Sequence, residues 1–569
     1  MFNKFLLIQA SKHHKKMIKQ SRSPFDLIIN QIWRNKPIAE TWPRSSMSRL
    51  FKRSESATEL NRLTRKQLGV FSPDSEASVN KSTISDVETT AARWEEVVEF
   101  MDKLGKKPNH KCMNLNNGHL STNDVIQLAA LLPYLPTLEE LDLSWNESIG
   151  GALKVLTNQL QHLPYLRVLE LVSCQLSKLD ISSLGDSIQL LANIEKIDLS
   201  WNPDLGGNLS LLTQKLHSCS TLKILKLVDC NLTAEDGVVL GKSLSVITNL
   251  EILDLSMNKN VGCGLAVLFQ ELSHASHLQV IKLCNCGLTP ESIQDLGISL
   301  NHLPAIRKMD LSCNGIGGGF METATHLLNV TQLQVFDVHG CSLIDDDISA
   351  LTQIIPLLKN LQVVNLGLNK NIGDTMRHLI ARIRFLPRFK NLTVNGCNLT
   401  KETIVELADT LPNLTDLETL DLSWNKCLGG NLGVLFQMLE NKTGLQVLKL
   451  CSCNLTGQDL ATLVSLSSIG LLSSLKMLHL TYNNTVDDQS WVTFFQEING
   501  LQELSELDIG LMPLSHRDCS PWFTVLLSCL SRLPSLVELG MHHWVITASQ
   551  CELLDAFNKH SKRSIHFTY

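Results

Sequence analysis

The chain repeats itself at a fixed interval. Leu141-Asp142-Leu143-Ser144-Trp145-Asn146 returns at 420–425 and, with Ile in place of the first Leu, at 197–202. Aligned on L-x-x-L-x-L-x-x-N/C-x-L, units begin at His110, Leu138, Leu166, Ile194, Leu222, Leu250, Leu278, Ile306, Leu333, Leu361, Phe389, Leu417, Leu445, Leu475, Leu504 and Leu536, most of them 28 residues apart. A unit this short cannot enclose a core alone, so its apolar face must be buried against the next unit. The ninth position alternates between Asn (146, 202, 258, 314, 369, 425, 483) and Cys (174, 230, 286, 341, 397, 453), which makes the true period a 56-residue pair. An amide or a compact thiol can satisfy backbone groups where the chain leaves a strand, so these six cysteines read as structural.

This pattern is that of leucine-rich repeats. With its strict Asn/Cys alternation the chain resembles the ribonuclease-inhibitor-like leucine-rich repeat family over residues 110–562. The resemblance implies an α/β solenoid, a horseshoe of about 16 β-α units with a parallel concave sheet and convex helices. It implies no single function, because the class includes ligand traps, GTPase activators, actin-binding proteins and sensors; it also implies an epithelial setting. The residues themselves support convex helices: Leu153, Leu156, Leu160 and Leu163 fall on one helical face. The last two units depart from the pattern, with Met512 and Trp544 at the ninth position, as terminal units do when they cap a solenoid.

Four segments follow. Residues 1–84 lack periodicity and read as a basic, mostly disordered arm. Residues 85–109 read as an N-terminal cap helix, opened by a capping box at Ser85 and Glu88 and carrying Val87, Ala91, Trp94, Val98 and Met101 on one face. Residues 110–562 form the repeat domain, and 563–569 a closing strand around Ile565-His566-Phe567. Charge divides along the same lines. Residues 1–66 hold fifteen Lys and Arg against four Asp and Glu, a surplus of eleven that leaves the rest at −17 of an overall −6. An acidic body is repelled by nucleic acid phosphates, so no nucleic acid partner is expected. Arg44 to Ser54 mixes basic and hydroxyl residues suited to kinases or to an anionic membrane surface. No apolar run reaches the roughly 18 residues of a membrane span and Phe5-Leu6-Leu7-Ile8 is too short for a signal core. A cytoplasmic protein with reduced thiols is expected.

Apparent catalytic motifs fail on chemistry. Gly237 to Ser243 has three residues between its glycines where a phosphate loop has four, and it falls in a convex helix. Cys284-x-Cys286 and Cys451-x-Cys453 are 167 residues apart, without zinc-like spacing; Cys284 and Cys451 are expected on the concave face, and oxidation of the stacked thiols on local opening is expected before metal binding. The histidines show no triad spacing. No enzyme, metal or cofactor is expected.

Function is therefore expected on the surface. Positions three, five and seven of each unit point to the concave side. Val168 and Ile224, with Val172 and Val228, form an apolar stripe. At position five Asp142, Glu170 and Asp198, and again Asp310 and Asp337, form acidic stretches expected to lack neutralising partners and open to basic groups, whereas signs alternate from Asp198 to Asp310. Position eight carries Trp145, Trp201, Trp424 and Tyr482, which either cover the next turn or line a rim as binding anchors. The leading expectation is a non-enzymatic scaffold for a protein partner, with two alternatives: a trap for a basic enzyme, and a GTPase activator needing a rim Arg or Lys.

Overall fold

A computed structural model describes residues 85–216, 220–440 and 443–569; the expectations placed on 1–84 lie outside them. Each unit contributes one strand of three residues, from Cys112–Asn114 through Glu538–Gly540, and His566–Thr568 pairs onto the last of these. The result is a parallel sheet of 17 strands. Parallel neighbours in a solenoid need a crossover between them, and the convex segments supply it. Leucines at positions one, four and six point inward and are buried throughout, as in Leu138, Leu141 and Leu143.

The ninth position works as its alternation suggests. Asn202 donates from Nδ2 to the carbonyls of Leu171 (2.7 Å) and Leu199 (2.9 Å), while its Oδ1 accepts from the amides of Cys174 and Leu176, both at 3.1 Å. Cys174 in turn donates from Sγ to the carbonyl of Leu143 at 3.3 Å. Asn and Cys thus reach the same sixth-position carbonyl of the unit before them. Trp544 does the same at the irregular C-terminal end: its Nε1 donates to the Ile509 carbonyl at 2.9 Å.

The convex layer differs from the uniform helices expected. Cys-type units carry helices of ten to twelve residues, such as Lys178–Ile188 and Gly457–Ser468. In several Asn-type units only a short turn forms: Leu153–Thr157 is followed by a 3-10 turn at Leu160–His162, and the unit at Ile306 has the 3-10 segment Ala324–Asn329 alone. The reason is capping. Ser177 and Thr233 form capping boxes with Asp180 and Asp236, whereas the short helices after Ala152 and Leu209 have no side-chain cap, so their first N–H groups are left for a neighbour to satisfy. That neighbour is the same aspartate. Asp180 also accepts from the amides of Gly151 (2.5 Å) and Leu153 (3.0 Å) in the preceding unit, and Asp236, Asp347 and Asp459 repeat the bond at Gly207, Gly318 and Gly430. One carboxylate starts its own helix and ties down the one before it.

The cap helix spans Ser85–Lys103. Its buried face is rotated from the expected one: Val97, Phe100 and Met101 are buried, whereas Trp94 and Val98 are half-buried, Trp94 stacking on His110 with ring centroids 3.6 Å apart. The side chains of Ser85, Val87, Glu88 and Ala91 lie outside the described part.

Candidate partner-binding surface

Position eight is where the chain swings out of each strand, and its backbone is left-handed in both unit types. In Cys-type units the position holds Ser173, Asp229, Asn285, Gly340, Gly396 and Ser452, residues that tolerate or suit this conformation. In Asn-type units it holds Trp145, Trp201, Met257, Cys313, Leu368, Trp424 and Tyr482, with φ between +58° and +69°. A bulky side chain there costs roughly 1–2 kcal/mol per residue. Large and small residues therefore alternate along one rim, and the large ones reach across. Trp145 and Trp201 lie with ring centroids 6.4 Å apart, Trp424 and Tyr482 at 6.0 Å, although an intervening strand separates each pair. Trp424 is 44% exposed and Met257 39%, while Trp145, Trp201 and Tyr482 are half-buried. The rings cover their turns and still present an aromatic edge to solvent.

On the concave face Val168, Val172, Ile224 and Val228 are all half-buried, but the strand between those of Val168 and Ile224 sets Lys196 opposite both, so the expected apolar stripe is interrupted there. The register sets position five opposite position five, pairing Asp198 with Lys226, Asp254 with Lys282, and Asp310 with Asp337. One acidic stretch is neutralised, contrary to expectation: Glu170 is held by Lys196, a third-position residue of the next strand, and Asp198 by Lys226 at 3.5 Å. The partner is diagonal, from position three of one strand to position five of the other, and so does not show along position five alone. Asp142 alone of that stretch has no ion pair among the described residues; it accepts from the Ser144 amide at 2.9 Å. Lys282 sits on Asp254 at 3.1 Å, which leaves Asp310 and Asp337 facing each other. Burial, and then the Asp310 charge, push the Asp337 carboxyl up to about 7.

Other motifs resolve into structure. Gly237 to Ser243 lies within the helix Ala234–Ser243. A Cβ on Gly241 would come within 2.7 Å of the Leu268 backbone, so this glycine serves helix packing. The ninth-position thiols are buried, and burial pushes Cys174, Cys230 and Cys397 up to about 12, which suppresses thiolate chemistry. Cys284 is half-buried. Cys451 does not open onto the concave surface as expected: it is buried and hydrogen-bonded to His479, whose Nε2 is 2.7 Å from Glu506 Oε1. The three residues occupy positions seven, five and three of successive units, a diagonal visible only once the register is known. Among the described residues no helix is long and apolar enough to cross a membrane.

A family profile described as Leucine Rich repeat matches residues 134–152 and 218–241. Pig ribonuclease inhibitor is 29% identical over 409 residues, covering 70% of this chain and 87% of its own length, and the mouse ribonuclease inhibitor is 24% identical over 69% and 86%. Mouse NACHT, LRR and PYD domains-containing protein 12 is 34% identical over 194 residues, which span 33% of this chain and 18% of that protein.

Proposed function

We propose that this chain, a leucine-rich repeat protein of the ribonuclease-inhibitor-like family, is a non-enzymatic scaffold that holds a protein partner against its concave face and aromatic rim. The observation that carries this reading is the rim. Six large side chains, with Cys313 as the one small member of the series, stand at left-handed positions where the alternate units use Gly, Ser, Asn or Asp. Backbone strain of this kind is retained where something other than stability selects it, and paired Trp and Tyr rings are the side chains that concentrate binding energy at interfaces. The half-buried valines and isoleucines of the concave strands continue the apolar surface inward.

A second reading, sequestration of a basic enzyme, is favoured by the acidic body and by the ribonuclease inhibitors among the relatives. Salt separates the two, because a charge-steered trap loses association rate steeply with ionic strength and an apolar groove does not. The test is a reducing crosslinking pull-down from epithelial lysate with wild type and Trp424→Asn. Loss of a partner from the folded variant supports the rim as a binding edge; an unchanged partner list counts against it.

A further inference from the structure

From Glu170 to Asp254 the concave sheet answers each acidic group on its strands with a lysine, and beyond Asp254 this stops. Glu170 has Lys196, Asp198 has Lys226 and Asp254 has Lys282. Asp310 and Asp337 are direct cross-strand partners, an arrangement of like charges that destabilises a sheet, and neither forms an ion pair among the described residues. Among the described residues Asp310 accepts only from Ser312, and Asp337 from the His339 amide (3.0 Å) and Asn365 Nδ2 (3.1 Å).

A second observation lies beside them. His339 and Asn395 hold position seven on either side of Gly367, and both lean over it: a Cβ on Gly367 would come within 1.9 Å of Asn395 Oδ1 and 2.8 Å of His339 Nδ1. Both atoms are buried and have no hydrogen-bond partner among the described residues; Asn395 is only 5% exposed, while the His339 ring is also engaged by Asn365. The half-buried carboxylates of Asp310 and Asp337 thus face the concave side, with a buried amide oxygen and ring nitrogen over Gly367 on the adjoining unit. A cation that only donates is the complement to such a surface. Guanidinium carries five N–H groups in a planar fork and no acceptor, and pairs with carboxylates in bidentate fashion.

We propose that the Asp310–Asp337 pair, flanked by His339 and Asn395, is the seat for an arginine side chain of the protein partner. The inference rests on the concave-face reading and adds to it the chemistry of one anchor. Groups facing the seat are Lys282 and Lys308 on the N-terminal side, and His339, Asn365 and Asp421 on the other. Lys282 is engaged by Asp254. Arginine entry displaces the proton that the pair retains near neutrality, so affinity rises as pH increases through 7.

The test uses the full chain and calorimetric titration with acetyl-Gly-Arg-Gly-amide, its citrulline analogue of the same shape without charge, and its lysine analogue. The expected result is a preference for arginine over citrulline of roughly 10- to 100-fold, the range of charge-assisted hydrogen bonds, with a heat that depends on the ionisation enthalpy of the buffer. Asp310→Asn removes the preference, and Asp186→Asn on the convex side leaves it. Equal binding of arginine and citrulline overturns the seat, as does a preference that survives Asp310→Asn; lysine binding as tightly as arginine overturns the guanidinium assignment. Partner loss from a concave-face variant without arginine selectivity leaves the scaffold reading standing and the seat refuted. Arginine selectivity with a partner list indifferent to the concave face does the reverse.

Discussion

Trp145 and Trp201 stand at the same position of units two strands apart, and their rings meet at 6.4 Å over Ser173, the small residue of the unit between. Adjacent strands lie about 4.8 Å apart, so side chains on alternate strands touch only by leaning toward each other over a small neighbour. The Asn/Cys alternation that organises the core therefore also organises the rim.

Substituting Trp424 by Asn isolates the binding role of that rim. Asn adopts positive φ readily and Trp424 is 44% exposed, so the variant keeps its stability to within about 1 kcal/mol while capture of the partner falls. Urea unfolding read beside a pull-down checks this. A variant that unfolds, or one that retains full capture, contradicts it.

The two ninth-position residues are unequal in energy. Asn202→Ala takes a partner from two amides and three carbonyls in the core and costs roughly 3–5 kcal/mol. Cys174→Ala removes one weak thiol donor and costs about 1 kcal/mol. Chemical denaturation of both variants measures the ratio, and equal costs would refute the assignment of roles.

The His479–Glu506 contact makes stability depend on alkaline pH. Burial alone would lower the His479 pKa, but hydrogen bonds to Cys451 and Glu506 outweigh it and hold the ring protonated up to about 9. A histidine raised above its unfolded value of roughly 6.5 contributes fully below that value and loses its contribution as pH rises through 9. Glu506→Gln is expected to cost about 1–2 kcal/mol at pH 7, with the difference vanishing near pH 10 in paired melting curves.

Removing one member of the acidic pair should have the opposite sign. Asp337 titrates above its unfolded value, so its ionisation costs stability: the fold is favoured below the unfolded carboxylate pKa and loses that advantage as pH rises through about 7. Asp310→Asn is therefore more stable than wild type at pH 8, with the gain shrinking toward pH 5. A destabilised variant at pH 8 would show that the pair contributes to folding and not to binding.

Much of this was legible in the chain because repetition turns one unit's pattern into sixteen. Strand positions, the inward leucines, the roles of Asn202 and Cys174 and the closing strand at His566 all follow from period and residue type. The cross-unit bonds of Asp180 and Asp236 were not legible, because the capping aspartate shows its own helix in sequence but not the helix before it. Lys196 on Glu170 and Cys451 beside His479 stayed hidden for a related reason: both contacts run diagonally across the sheet, and a column-by-column reading compares only like positions. The left-handed backbone at Trp145 and its equivalents was likewise invisible, since Trp is not a residue that announces positive φ.

The most direct test of a concave binding face is a crosslinking pull-down under reducing conditions that compares wild type with Val172→Lys/Val228→Lys, after circular dichroism has shown the variant to be folded. Both valines are half-buried on the concave strands and neither enters the Asn/Cys core. The account predicts a partner captured by wild type and lost from the double variant. An identical set of partners from both proteins would contradict it.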